Sequence, residues 1–249
     1  MKEVFLKALN GSFIFMDRFD LTRLVIGIAA LLVAGFFALA RAFKKRSPLT
    51  TKFIARTGLF AAISIILYIV PGLKFAVPFF PSFLEFHFDE VPALIAGFAY
   101  GPLSAFFVVL VKTIVKLPMT GTMGVGELAD FIYSCAFVVP AALIYKKHRN
   151  IKGALISLLI ATVIQVAVSS LITTYLILDF YIFMMGLPKA AIMGMVKAAN
   201  PHVTNLGVPF LFMIAIPFNA MKDAIVIVIT FLLYKRMHRL FDKIGQEKN

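Results

Sequence analysis

Tryptophan is absent from the 249 residues, and cysteine occurs once, as Cys135. A single cysteine excludes an internal disulfide. Within the apolar run FIYSCAFVVPAALIY it reads as a small buried hydrophobe. Charge is also scarce: Asp, Glu, Lys and Arg make up 15% of the chain, against about 25% in an ordinary soluble domain. Hydrophobic residues make up 61%, and the mean hydropathy is +0.95. These values exclude a soluble globular fold, and the length accommodates roughly six or seven membrane spans of about 20 residues. The usual signatures of chemistry are missing too. The glycines of GTMGVGELAD are not followed by Lys-Ser or Lys-Thr, and no strand precedes them, so there is no phosphate-binding loop of the Walker type. Any ATP used must be hydrolysed by another protein. His87, His148, His202 and His238 lack the spacing of a metal site and read as interfacial. No nucleophile–base pair stands out, so neither catalysis nor a metal is expected.

Acidic residues are few: 12, against 25 Lys and Arg, for a net charge of +13. In a soluble protein that excess would suggest nucleic acid, but here the basic residues cluster between apolar runs. Lys44, Lys45, Arg46, Lys52 and Arg56 form one cluster, Lys146, Lys147, Arg149 and Lys152 a second, and Lys235, Arg236 and Arg239 a third. By the positive-inside rule these mark the cytoplasmic face, placing the C-terminus inside the cell. The loops around 73–89, 117–125 and 179–207 then lie outside.

Residues 24–43 read as a retained hydrophobic helix rather than a signal peptide. They belong to an N-terminal extension, residues 1–46, whose orientation is left open by Lys2, Lys7, Arg18 and Arg23 before the helix. Pro48 breaks the chain after it. Residues 53–70 form the next helix. The Phe-rich LKFAVPFFPSFLEFHFDE is too apolar for a solvated loop and is expected to fold over the protein's own outer surface. Tyr100-Gly101-Pro102 divides the following apolar run into two short helices. Three more helices follow, giving an all-α membrane protein with a six-helix core over residues 53–240 and a cytoplasmic tail over 241–249. No internal repeat of the kind common in secondary transporters is visible.

Polar residues inside the apolar runs are the informative ones. Lys112 and Lys116 stand four apart on one helix, and Glu127 and Asp130 share a face of the next. One of these acids is expected to pair with Lys112 or Lys222. Asn219 and Lys222 share a face of the last helix. Pro217 reads as its first-turn residue, which puts Lys222 about 8 Å along the axis. An ammonium supplies donors only, and an amide supplies one of each kind, so the pair matches an acceptor–donor–acceptor edge. Surrounding Phe, Tyr and Met residues suit a flat aromatic body. A flavin combines both features, and a pterin, thiamine or another aromatic vitamin shares them in part.

FLEFHFDEVPALIAGFAYGPLSAFFVVLVK, GVGELADF and PFNAMKDAIVIVITFLLYKR together resemble the riboflavin-specific S components of energy-coupling factor transporters, over residues 53–240. The resemblance implies a six-helix fold that holds a vitamin beneath outer loops. It further implies a bacterial cell-membrane location, a transmembrane T component and two cytoplasmic ATPases as partners, and toppling of the S component in the bilayer to carry ligand inward. Riboflavin, or FMN or FAD, would then be bound substrate rather than catalytic cofactor. The family's Asn-x-x-Lys falls on Asn219 and Lys222, its Gly-Glu-Leu-Ala on Gly126–Ala129, and the lysine of its third core helix on Lys112. Phe83, Leu84, Phe86, Glu127, Asp130, Thr174 and Tyr175 complete the ligand set it implies. Asp130 and Thr174–Tyr175 depart from the asparagines common at those places, and Glu85 and His87 are unusual. Gly58 and Ala62, with Thr57 and Ala61, are small residues four apart on the first core helix. The resemblance makes Gly58, Ala61 and Ala62 the T-component seam, and packing within the bundle is the competing reading. A flavin-nucleotide S component serving the outer side and an ATPase-independent vitamin transporter are the alternative functions.

Overall fold

The computed structural model describes residues 50–183 and 185–246, so the N-terminal helix expected over residues 24–43 lies outside the described residues. The chain forms α1 (Thr51–Ile69), a two-residue strand pair β1 (Phe75–Ala76) and β2 (Glu85–Phe86), α2 (Glu90–Tyr100) and α3 (Pro102–Lys116). α4 (Val125–Tyr145), α5 (Ile151–Ile172), α6 (Leu178–Phe183), α7 (Lys189–Ala199) and α8 (Ile216–Gln246) follow. Among the described residues, five helical segments are long and apolar enough to cross a membrane; α2, with 11 residues, is shorter.

The ends follow from local chemistry. Thr50 caps α1 by accepting the Phe53 N–H at 3.2 Å, and Asn150 caps α5 by accepting the Gly153 N–H at 2.6 Å. The break between α2 and α3 falls at Gly101, whose φ of 101° is a conformation glycine adopts without a Cβ penalty; Pro102 then opens α3. The expected division at Tyr100-Gly101-Pro102 is therefore present.

α2 is the axis of the bundle. Every residue from Glu90 to Ala99 is buried, as expected of a helix apolar on all sides. Its neighbours approach closely: a Cβ on Gly97 would sit 2.9 Å from the Ala142 Cβ on α4 and 3.0 Å from the Ala105 Cβ on α3. The next residue, Phe98, packs 4.5 Å, centroid to centroid, from Tyr145, whose hydroxyl meets that of Tyr234 at 2.9 Å. This aromatic group joins α2, α4 and α8 at the end of the bundle that carries the basic clusters.

At the opposite end the Phe-rich stretch folds back as the β1–β2 hairpin, with Phe75 opposite Phe86. Phe80, Phe83 and Leu84 pack on a cluster that includes Leu178, Ile192, Val196, Phe210 and Ile214. The stretch covers the protein's own outer surface, as its composition predicts.

The last helix departs from expectation. Pro217 does not open it. Helical backbone begins at Val208, passes through a π-helical turn at Leu211–Ala215 and continues as α8. Pro209 occupies the first turn instead. Lys222 is therefore 14 residues along, about 21 Å rather than about 8 Å, and is the middle residue of the apolar segment Val208–Arg236. A second π-turn, Thr173–Ile177, links α5 to α6. Such turns insert one extra residue and re-aim the side chains that follow.

Replacing Gly97 by valine forces α2 away from two alanine methyl groups that cannot rotate aside. A loss of about 1 to 3 kcal/mol is expected. Thermal unfolding in detergent, followed by circular dichroism, measures it; an unchanged midpoint would show that the helices separate at little cost.

Candidate functional site

A cavity of about 400 Å³ lies beneath the hairpin, bounded by α1, α3, α4, the α5–α6 junction and α8. That volume is within the range of small-molecule sites. Its wall is aromatic on several sides, with Tyr68, Phe83, Tyr133, Tyr181 and Phe218 all contributing. Its polar groups converge at the head of α2.

Eight residues form that polar group, some lining the cavity and some lying behind it. Lys112, fully buried on α3, pairs with Asp89 and with Asp130 Oδ2 at 2.9 Å, and donates to Ser134 Oγ at 3.0 Å. Lys222 on α8 donates to Glu90 Oε1 at 2.7 Å. His87 bonds Asp89 through Nδ1, while its Nε2 lies 3.2 Å from Lys222 Nζ and 3.5 Å from Asp130 Oδ1. Tyr68 caps the group, its ring 4.8 Å from Lys112 Nζ and 5.3 Å from the His87 ring. Asp89 and Glu90 stand at the N-terminus of α2, where the helix dipole favours negative charge. Three carboxylates thus face two ammoniums, and an imidazolium at His87 brings the group to neutrality. Burial and Lys222 push the imidazole toward its neutral form. Asp89 and Glu90 outweigh both and hold its pKa up at about 9.

Asn219, one turn before Lys222, is fixed by its neighbours. Its Nδ2 donates to the Ala215 carbonyl at 2.8 Å and to Ser170 Oγ at 3.2 Å. A backbone carbonyl only accepts, so the amide orientation is set and both Nδ2 hydrogens are committed. Asn219 therefore offers the cavity Oδ1, an acceptor, next to the donors of Lys222.

Of the residues singled out from sequence, Asn219, Lys222, Glu127, Asp130, Phe83 and Leu84 line the cavity. Four do not. Lys112 is 0% exposed and lies behind Asp89 and Asp130. Phe86, also 0% exposed, supports the wall by packing edge-on against Phe218 at 4.9 Å. Thr174 is buried within the π-turn, its neighbour Thr173 facing the cavity instead. Tyr175 packs on the apolar cluster under the hairpin. The extra residue of the π-turn explains this rotation, which a uniform helix would not give.

The expected ion pair is present, and the structure adds a second acid that the sequence reading did not name. Asp130 does pair with Lys112, but the partner of Lys222 is Glu90, and Glu127 takes neither lysine. Glu127 Oε2 accepts from Thr120 at 2.6 Å and Thr122 at 3.0 Å, closing the α3–α4 turn. Gly126 permits this, since a Cβ there would meet Thr122 Oγ1 at 2.6 Å. His87, Asp89 and Glu90 were not legible as site residues. The available signal was an adjacent acid pair opening an otherwise apolar helix, DEVPALIAGFAY. On α1 the small residues divide: Thr57 and Ala61 are buried, with Thr57 Oγ1 2.8 Å from Ser104 Oγ, whereas Gly58 and Ala62 are exposed. Ala61 therefore belongs to the bundle's packing, and Gly58 and Ala62 remain as an outward seam.

Apolar membrane-length helices around an aromatic cavity with fixed polar groups define a membrane-embedded binding protein, and the comparisons with known proteins agree. The sequence model of the family "ECF transporter, substrate-specific component" matches residues 52–234, and the chain belongs to that family. It is a multi-pass membrane transport component and not an enzyme. Relatives include the riboflavin transporter RibU of Staphylococcus aureus (strain TCH60), 31% identical over 73% of this chain and 89% of that protein. The riboflavin transporter FmnP of Bacillus subtilis (strain 168) is 28% identical over 70% of this chain and 87% of that one. A solved structure of the S component of a bacterial ECF transporter matches with a TM-score of 0.60 at 28% identity, covering 76% of this chain and 96% of that chain.

Lys112→Met removes a buried cation from between Asp89 and Asp130. A stability loss of about 3 to 5 kcal/mol is expected. Adding Asp130→Asn should recover much of it, because one cation and one anion are then removed together and the group is neutral again. Melting temperatures of the single and double variants test this; equal losses in both would show that packing, not charge, sets the cost.

Proposed function

We propose that this chain is the flavin-binding subunit of an energy-coupling transporter, taking riboflavin or a close relative from outside the cell. The observation that carries this reading is the wall formed by Lys222 and Asn219. It sets ammonium donors beside a fixed amide acceptor, among aromatic rings. An imide edge presents a carbonyl to the first and an N–H to the second, and the rings accept the flat tricyclic body. The names of the relatives support the same ligand. Asn219, Lys222, Glu127, Asp130, Phe83 and Leu84 form the ligand's immediate surroundings, and Lys112, Phe86, Thr174 and Tyr175 hold them in place.

The cavity opens on the face opposite the clusters around Lys146–Arg149 and Lys235–Arg236, so it faces outward and the C-terminus is cytoplasmic. No phosphate-binding loop is present in the sequence, so energy comes from a T component and two ATPases. Gly58 and Ala62 are the seam for the T component, where small side chains let helices approach closely. Lys116 also lines the cavity, beside the Lys74–Glu85 pair at 2.6 Å, and it favours a second reading in which the ligand carries a phosphate, as FMN does.

The direct test is to purify the protein and identify the co-purified small molecule by absorbance and mass, then titrate riboflavin, FMN and FAD. Trp is absent, so quenching of flavin fluorescence is read against a low protein background. Lys222→Met keeps the apolar stem and removes the charge. With Asn219→Ala, it is expected to weaken binding by about 10- to 150-fold. Unchanged affinity for all three flavins in both folded variants would make the pair structural and move the site elsewhere.

A Cβ on Gly58 meets nothing within 4 Å, so Gly58→Leu is expected to leave the fold and flavin affinity intact while reducing co-purification of the T component. A parallel loss of flavin binding would instead identify the position as part of the subunit's own core.

A further inference from the structure

The corner where α2 meets α3 stops short of its neighbours, at the end of the bundle that carries the basic clusters. Side-chain contacts set the levels. Thr57 Oγ1 meets Ser104 Oγ at 2.8 Å; beyond that contact α1 runs back to Thr51, whereas α3 runs back only to Pro102. At the helical rise, α1 therefore extends about 6 Å past the corner. Lys112 pairs with Asp130 at 2.9 Å, and from there α3 runs back to Pro102 while α4 runs on to Tyr145. By the same rise α4 ends about 7 to 8 Å past the corner. The ends of α1 and α4 stand as two rims, and Tyr100 and Gly101 form a part-exposed floor between them. A Cβ on Gly101 would meet nothing within 4 Å, so the floor is open.

One face of the α1 rim is ordered by depth. Lys52 is outermost and exposed, and Arg56 follows one turn deeper, its guanidinium 5.4 Å from the centre of the Tyr100 ring. Phe60 comes a turn deeper still and packs edge-on against the same ring at 6.1 Å. Leu59 and Ile63, both exposed, continue the face toward the membrane interior. From Lys52 to Phe60 the sequence cation, cation, aromatic covers about 12 Å. Among the described residues no carboxylate pairs with Lys52 or Arg56. Paired cations above an aromatic and an apolar strip fit a phosphate that carries acyl chains, whereas a soluble anion would use only the outer part of the face.

We propose that this corner binds an anionic phospholipid from the leaflet at the basic end: Lys52 and Arg56 take the phosphate, and the acyl chains lie along Phe60, Leu59 and Ile63. Arg56 is the selective contact, because Tyr100 holds its planar fork in place for two phosphate oxygens. Gly58 and Ala62 lie on the other flank of α1, Arg56 and Gly58 being about 160° apart around the helix, so the lipid leaves the outward seam free. The site does not depend on what the cavity binds.

The experiment titrates the full-length protein in neutral detergent with phosphatidylglycerol, phosphatidylcholine and glycerol 3-phosphate, and counts bound molecules by native mass spectrometry. The parent should retain phosphatidylglycerol in preference to phosphatidylcholine, and glycerol 3-phosphate, which has no chains, should bind far more weakly. Lys52→Gln and Arg56→Gln should each weaken phosphatidylglycerol binding about 5-fold, and the double variant about 25-fold. Arg56→Lys keeps the charge without the fork and should fall between the parent and Arg56→Gln. Arg149→Gln with Lys152→Gln removes the same charge from the same end but away from the α1 rim, and should change little. Equal losses in the two double variants would reduce the effect to diffuse attraction and overturn the site. Equal retention of both lipids by the parent, or glycerol 3-phosphate binding as tightly as phosphatidylglycerol, overturns it as well. Unchanged lipid binding with lost co-purification of the T component in the Lys52 and Arg56 double variant would assign the face to that partner instead. If the Arg56 variants do not fold, Lys52→Gln against Lys152→Gln decides: a selective loss in the first supports the site, and equal binding overturns it.

Discussion

The structure depends on charge neutralisation at the head of α2. A helix that is apolar on every side can sit at the centre of a membrane bundle only if its own first turn is satisfied there, because water does not reach it. Asp89 and Glu90 bring two negative charges into that position, and the helix dipole offsets only part of their desolvation. The remainder is supplied from other elements: Lys112 from α3, Lys222 from α8 and His87 from the hairpin. Asp130 from α4 then balances the cations. Five elements are fixed relative to one another by a set of contacts none of which is surface-exposed. An isolated lysine at mid-span costs about 2.5 to 3.5 kcal/mol on insertion scales. Lys112 and Lys222 escape most of that cost by pairing with carboxylates, Lys112 with Asp89 and Asp130 and Lys222 with Glu90.

The same arrangement explains how a binding site can exist at such depth. A cavity wall made of unpaired charges would collapse or hydrate, whereas one made of paired charges with donors to spare can stay open. Lys222 commits one donor to Glu90, and Asn219 commits both Nδ2 hydrogens to Ser170 and Ala215. What each still offers the cavity is therefore of one kind only, donors from the first and an acceptor from the second. The π-turns at Thr173–Ile177 and Leu211–Ala215 contribute here too. One follows Ser170 and the other precedes Asn219, which meet at 3.2 Å, while the turns beyond them pack under the hairpin. At the other end Phe98, Tyr145 and Tyr234 close the bundle with apolar contacts and a single hydroxyl pair, which leaves ligand access to the hairpin end.

Much of this was legible in the sequence, and the reason is energetic. Charged residues in apolar runs are so costly that Lys112, Lys222 and Asp130 stand out from composition alone. Tyr100-Gly101-Pro102 announces a break because only glycine takes the required φ. The Phe-rich stretch had to cover something apolar. What was not legible depends on contacts far apart in the chain. Glu90 and Lys222 are separated by 132 positions, and nothing near Lys222 names its partner. His87 looked interfacial because its contacts with Asp89 and Tyr68 are not visible in the sequence. Pro217 looked like a helix start because a π-turn leaves no mark in hydrophobic periodicity that distinguishes it from a loop. Thr174 and Tyr175 came from the resemblance, and the π-turn brings Thr173 to the cavity instead.

Asp223 shows where the logic of compensation reaches its limit. It follows Lys222 directly, is 1% exposed, and its Oδ2 has no hydrogen-bond partner among the described residues. Lys222 pairs with Glu90 at 2.7 Å, and no ion pair joins it to Asp223 among the described residues. An ammonium has three donors and Glu90 takes one, so a ligand acceptor arriving at Lys222 need not displace the ion pair. The bundle is held by Lys112, which is itself fully buried and pairs with the fully buried Asp89. Lys222, which belongs to the same network but borders the cavity, keeps the freedom to bind.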